Sequence, residues 1–233
     1  MYSKLYEVFH HWYYGNSVSG GEIYFYSDPH FSDEEMKYLR KNYIGDEEQV
    51  KRINSKVTKN DAIVILGDVG KVDWIKKLRG YKVLVTGNHD AGASRYKRVE
   101  EFLDANKLEN PNMEYIKSKY IPVQSKSRPV QALDNVWYRD NKLFDEVYTG
   151  PLFISDKILL SHEPIDFPYA LNIHGHDHNN KDFVDNTHLN VCAELIDYTP
   201  VSLKSIIESG MLKNIDSIHR VTIDRATENK NTR

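Results

Sequence analysis

The chain has 233 residues, 40% of them hydrophobic and 28% charged, an ordinary globular balance that excludes disorder over the whole length. Lysine and arginine number 31 against 34 aspartate and glutamate, a formal net charge of −3, so no overall cationic field exists to hold nucleic acid or an anionic membrane without specificity. The single cysteine, Cys192, forms no internal disulfide and supports no thiol-rich metal site, which favours a reducing compartment.

In chain order, Tyr2, Tyr6, Phe9, Trp12, Tyr13 and Tyr14 surround His10 and His11. Their spacings of three and four favour core packing over a base-stacking platform, with a lid or substrate contact as the alternative. No apolar stretch with a small-residue cleavage site follows Lys4, so no export signal is expected and the default location is the cytoplasm. A first strand is expected over Ile23 to Ser27, running into Asp28, Pro29 and His30. Ser32, Asp33, Glu34 and Glu35 have the form of a capping box, which predicts a helix to about Tyr43 with Met36, Leu39 and Tyr43 on one face. A second helix is expected from Asp46 to Val57. Ala62 to Leu66 is a run of five apolar residues, the pattern of a strand buried on both faces, and it falls far short of the roughly 20 residues of a membrane span. It leads into Gly67 and Asp68.

Lys82 to Thr86 leads into Gly87, Asn88, His89 and Asp90. A helix is expected from about Ser94 to Lys107, where Tyr96, Val99, Phe102 and Leu103 recur at helical spacing. Residues 108–146, with Pro111, Pro122 and Pro129, are expected as an irregular insertion or cap. Lys117, Lys119, Lys126 and Arg128 in it read as a solvated basic loop, with a polyanion contact as the sharper alternative. Lys157 to Leu160 leads to Ser161, His162 and Glu163, and Leu171 to Ile173 leads to His174, Gly175, His176, Asp177 and His178. A short helix over Ser202 to Ser209 and a solvated tail at 226–233 complete the chain. No Gly, Ser or Pro linker divides it, so a single domain over 1–233 is expected. Helices between strands are what a sheet with parallel crossovers requires.

Five strand ends therefore carry residues of ligand type. Each cluster alone is an unremarkable turn; together they supply carboxylate, imidazole and amide oxygen, the donors that hold hard and borderline divalent ions. Asp28, His30, Asp68, Asn88, His162, His176 and His178 make seven candidates. That is too many for one tetrahedral ion and suits two ions sharing a carboxylate.

The ordered set Asp28-x-His30, Gly67-Asp68, Gly87-Asn88-His89-Asp90, His162 and Gly175-His176-x-His178 resembles the calcineurin-like metallophosphoesterase superfamily, and in particular its small bacterial and phage members. The resemblance covers positions 28–178. It implies an α/β fold of two packed mixed β-sheets flanked by helices, a four-layer αββα sandwich with metals at the carboxyl ends of the strands. It also implies that Asp28, His30 and His178 hold one metal, that Asn88, His162 and His176 hold the other, and that Asp68 bridges them. His89 would protonate the leaving alkoxide, Asp90 would orient His89, and Asn88 and His89 would touch substrate.

The activity implied is binuclear-metal-dependent hydrolysis of a phosphodiester or phosphomonoester by a metal-bridging hydroxide. Two cations roughly 3.5–4 Å apart lower the pKa of the shared water and clamp the attacking and leaving oxygens. Manganese is the first choice of metal, with Fe, Zn, Co and Ni sharing the same donor preferences. A small phosphorylated substrate is expected as partner, and no membrane. A nuclease of the same superfamily is the first alternative, and a net charge of −3 without a separate DNA-binding segment weighs against it. A catalytically silent binding module is the second, and an intact ligand set with His89 weighs against that.

Three further residues have plainer readings. His174 should alternate away from His176 and so serve packing or support. Arg95 lies near the site in sequence and is read as an ordinary helix-start arginine. Cys192 is read as a small buried hydrophobe.

Overall fold

The structure is a computed structural model and describes residues 21–90, 143–148, 150–179 and 185–221. The aromatic stretch around His10 and His11, the helix expected from Ser94 to Lys107, the Lys117 to Arg128 stretch and the 226–233 tail lie outside the described residues.

Two sheets organise the chain. The first contains β1 (Ile23–Tyr26), β2 (Ala62–Ile65), β3 (Tyr81–Val85), β4 (Glu146–Tyr148) and β9 (Val201–Ser202). The spatial order is β4-β3-β2-β1-β9, with β1 to β4 parallel and β9 antiparallel to β1. The second contains β5 (Leu152–Ser155), β6 (Ile158–Leu160), β7 (Leu171–His174) and β8 (His188–Asn190), in that order. Here β5 and β6 form an antiparallel hairpin, while β6, β7 and β8 are parallel.

The apolar run of β2 is continuous because both its faces are covered. Ala62 and Val64 join the core between the sheets, with Phe25, Val83, Leu160, Leu171 and Ile173. Ile63 and Ile65 point the other way, into a second core with Val50, Ile53, Val57, Ile75 and Leu78, as strand alternation requires. Those partners come from α2 (Asp46–Lys56) and the 3₁₀ turn Val72–Lys77, together with the residues that follow each. Asp46, Glu47 and Glu48 lie in the first turn of α2, where negative charge meets the positive end of the helix dipole. The short α3 (Leu203–Glu208) is capped by Ser202, whose Oγ accepts the Ser205 N–H at 3.0 Å. Among the described residues no helix is long and apolar enough to cross a membrane.

One expectation is corrected. The capping box does not form: α1 is only Met36–Leu39, and Glu35 at its N-cap makes no side-chain capping bond. Ser32 adopts a φ of 58° and donates both N–H and Oγ–H to Asp46 Oδ2 at 3.0 Å, so its hydroxyl is turned away from the helix start. The C-cap Arg40 is extended, with ψ of 120°, which ends the helix short of Tyr43. Of the insertion expected over 108–146 only 143–146 are described: Leu143 and Phe144 are buried in the outer core without regular structure, and Glu146 opens β4.

The sheets are stitched beside the end of β1. Ser27 donates its N–H to Val191 O and Ala193 donates to Ser27 O, both at 3.0 Å, so the segment after β8 runs along the end of β1. This places the carboxyl ends of β1, β2 and β3 beside those of β6 and β7.

Candidate metal centre

At these carboxyl ends the backbone turns sharply. Asp28, His30, Asp68, His176 and His178 have φ of 54°, 44°, 51°, 67° and 47°, the left-handed region that costs a non-glycine residue about 1–2 kcal/mol. Bonds between the loops hold these turns in place: Asp28 N–H donates to Gly67 O at 3.2 Å, His30 N–H to Asp68 O at 3.0 Å and Gly175 N–H to His162 O at 2.9 Å. Two glycines are required by closeness. A side chain at Gly87 would strike Asp68 Oδ1, and one at Gly175 would strike Ser27 Oγ and Asp28 Oδ2.

Two groups of side chains converge. Asp28, His30 and His178 form one, and Asp68, His162 and His176 the other, with the donor atoms of each group within 4.8 Å of one another. Asp68 stands between them, its Oδ2 lying 3.7 Å from His30 Nε2 and 3.5 Å from His162 Nε2. His178 Nε2 is 3.9 Å from Asp28 Oδ1. Asn88 Oδ1 lies 2.8 Å from His162 Nε2 and so joins the second group. His89 stands at the rim, its side chain 65% exposed and its Nε2 3.9 Å from Asp68 Oδ2.

The donor chemistry fits cations. Among the described residues, Asp28 Oδ1 and His30 Nε2 are buried without a hydrogen-bond partner, a state that costs free energy unless a cation meets them. Asp28 Oδ2, in contrast, accepts from Ser27 Oγ at 2.6 Å, His176 N at 2.9 Å and Cys192 Sγ at 3.2 Å, which leaves Oδ1 to point at the site. His162 Nδ1 donates to Leu66 O at 2.8 Å. Its Nε2 lone pair then faces Asn88 Oδ1 and, at 3.1 Å, His176 Nδ1, an arrangement held together only by a proton or a metal ion.

The electrostatics carry the same mark. Burial pushes the Asp68 carboxyl up, but hydrogen bonding to His162 and the His89 N–H outweighs it and holds Asp68 down at about 2. Burial lowers His162, yet the Asp68 contact and the field of Asp28 lift it to about 9. His178 is raised, first by its hydrogen bond to Glu194. For His30 burial dominates and lowers it.

The sequence matches the family model of calcineurin-like phosphoesterases over residues 21–193. The chain belongs to this family. A solved structure of a protein of unknown function from Aquifex aeolicus shares the fold, with a TM-score of 0.51 and 22% identity over 81% of this chain and 99% of that one. No curated protein matches the sequence.

One placement in this calcineurin-like phosphoesterase differs from what the resemblance implied. Asp90 is not directed at the His89 imidazole. Its Oδ2 accepts the N–H groups of Asp68 at 2.7 Å and Gly87 at 2.9 Å, and its Oδ1 accepts that of Val69 at 3.0 Å. The carboxylate is buried and saturated by backbone donors, so it pins the loop after β3 onto the loop after β2. His174 stays outside both groups, buried, with Nδ1 donating to Gly175 O at 2.9 Å.

Sequence reasoning missed several supports. Ser27 and Cys192 fix Asp28 from behind, as their contacts with Oδ2 show. Asp33 Oδ2 accepts from His30 Nδ1 at 3.1 Å, and Glu194 Oε1 accepts from His178 Nδ1 at 2.6 Å. Asp33 follows His30 by three positions, a spacing that could have flagged it; Glu194 lies 16 residues beyond His178 and carries no local signal.

Proposed function

We propose that the protein hydrolyses a phosphate ester at a centre of two divalent cations. Asp28, His30 and His178 hold the first, Asn88, His162 and His176 hold the second, and Asp68 is shared. The position of Asp68 Oδ2, 3.7 Å from a histidine of one group and 3.5 Å from a histidine of the other, carries this reading, because one oxygen there faces both sites.

Cations in these sites supply a nucleophile from water at neutral pH and neutralise the phosphoryl oxygens. The chain supplies the rest. His89, exposed at the rim beside Asp68, gives its proton to the leaving oxygen, a contribution of ~10²–10⁴-fold. Asn88, exposed next to it, touches the phosphate as well as the second site. Their loop is held by Asp90 through Gly87 N–H, and the His89 N–H is held by Asp68 Oδ1 at 2.9 Å, so the backbone that carries both side chains is set before substrate arrives.

Manganese is the first metal to supply, with Fe, Zn, Co and Ni suited to the same donors. The substrate is a small phosphorylated molecule. Release of nitrophenol from bis-p-nitrophenyl phosphate or p-nitrophenyl phosphate by the Mn-loaded chain tests the proposal, and the ratio of the two rates separates diester from monoester preference. Dependence on added metal is expected. No release from either ester by protein carrying two bound ions contradicts it.

A further inference from the structure

We propose that Glu194, clamped by Arg40, is the positioning residue of His178 and makes the Asp28 group the tighter of the two cation sites. The inference rests on the metal-centre reading above and concerns residues outside the family's metal-ligand pattern.

The geometry is a chain of buried charges leading to one ligand. Glu194 Oε1 accepts the His178 Nδ1–H at 2.6 Å, and its side chain is wholly buried. Accepting at Nδ1 fixes the tautomer, so Nε2 carries the lone pair, and it is Nε2 that faces Asp28 Oδ1 at 3.9 Å. Arg40 Nε lies 3.2 Å from Glu194 Oε2, with its side chain 1% exposed. The same guanidinium donates through Nη2 to Asp28 O at 2.7 Å. Arg40 therefore sets one buried positive charge between the carboxylate behind His178, which it meets as an ion pair without a hydrogen bond, and the backbone of Asp28, to which it is hydrogen-bonded.

Carboxylate support is confined to that group among the described residues. His30 has Asp33 at Nδ1, and His178 has Glu194. In the other group, His162 Nδ1 is held by a neutral carbonyl, Leu66 O, and the ligand beside it is an amide, Asn88. A carboxylate hydrogen-bonded to a ligating histidine orients the ring and raises its basicity. Asp33 is a third exposed, while Glu194 is shielded from water, so its charge acts through a lower dielectric and has the larger effect. The two sites thus differ in affinity, and the Asp28 group fills first.

The test is calorimetric titration of the chelator-stripped full chain with Mn²⁺ alone, with bound metal counted by elemental analysis. Wild type is expected to take two ions in two resolved steps, and Asn88→Ala identifies the weaker step by weakening it. Glu194→Gln keeps the side chain's shape but not its charge, and it should weaken the tight step 10–100-fold and leave the weaker step within about twofold.

Because that variant strands Arg40, Arg40→Met/Glu194→Gln removes both charges and should show the same selective weakening with cooperative melting retained. The wild-type chain provides a readout that needs no variant: nitrogen NMR of the metal-free protein, at a pH high enough to make the ring neutral, should find the single His178 proton on Nδ1. A tight step unchanged in both variants, or the proton on Nε2, overturns the inference. A wild type that takes up no Mn²⁺ contradicts the metal-centre reading instead.

Discussion

The Asp90 carboxylate accepts the backbone N–H of Asp68 at 2.7 Å and so joins the loop after β3 to the loop that presents the shared carboxylate. With Gly87 and Val69 N–H groups on the same side chain, three backbone donors from two loops end on one buried charge. An amide at this position turns an NH₂ toward at least one of them. Asp90→Asn should lower unfolding stability by about 1.5–3 kcal/mol, the scale of a hydrogen bond to a charged group, and should loosen metal retention with it. Urea melts and metal counts on the variant check this. A variant as stable as wild type, altered only in the pH profile of turnover, would return Asp90 to the His89-orienting place.

His89→Asn should behave in the opposite way. The ring is 65% exposed and stands outside both ligand groups, so stability should change by less than about 0.5 kcal/mol. Both metals should remain bound, and turnover should fall by ~10²–10⁴-fold. Parallel melts, metal counts and steady-state rates decide it; undiminished turnover removes His89 from the proton-donor place.

Gly175→Ala tests the tightness of the cradle behind Asp28. The new methyl would strike Ser27 Oγ and Asp28 Oδ2, and overpacking of this kind typically costs 1–3 kcal/mol. Because Asp28 Oδ2 is the anchored oxygen, the displacement should also weaken the first site. A thermal melt with metal analysis reads both effects.

The metal-free protein should have a characteristic pH dependence. His162 is raised from 6.5 to about 9, so its contribution to stability is complete below about pH 6.5 and is lost as pH rises through about 9. Asp68 is lowered from 3.8 to about 2, so its contribution is complete above about pH 3.8 and is lost as pH falls through about 2. Melting of the stripped chain should therefore weaken between pH 6.5 and 9. With a cation replacing the proton between these two residues, that alkaline decline should disappear. Thermal melts of both forms across the range give the comparison.

What was readable from sequence and what was not divides along physical lines. β2 was legible because burial on both faces leaves a continuous apolar run, and Asp68 was legible because it ends that run. The approach of His30 to the Asp28 carboxylate follows from their spacing of two across a turn, whereas that of His178 was implied by family pattern and not by local spacing. β4, β5, β8 and β9 do not run into a cluster of Gly, Asp, Asn or His, the feature that made the equally short β1, β6 and β7 legible. Ser32 was misread because a capping box is a pattern of residue types, and its left-handed backbone, which sends the hydroxyl to Asp46, is invisible to that pattern. Glu194 and Arg40 were missed for a different reason. Their meeting depends on the segment after β8 running beside β1, a tertiary fact that no window of sequence contains.

The most direct test of the central claim is a crystal of the chain soaked in Mn²⁺, with anomalous scattering measured at the metal. Two peaks roughly 3.5–4 Å apart, on either side of Asp68 Oδ2, with Asp28, His30 and His178 around one and Asn88, His162 and His176 around the other, are predicted. A single peak, or two peaks that do not share Asp68, would contradict the account.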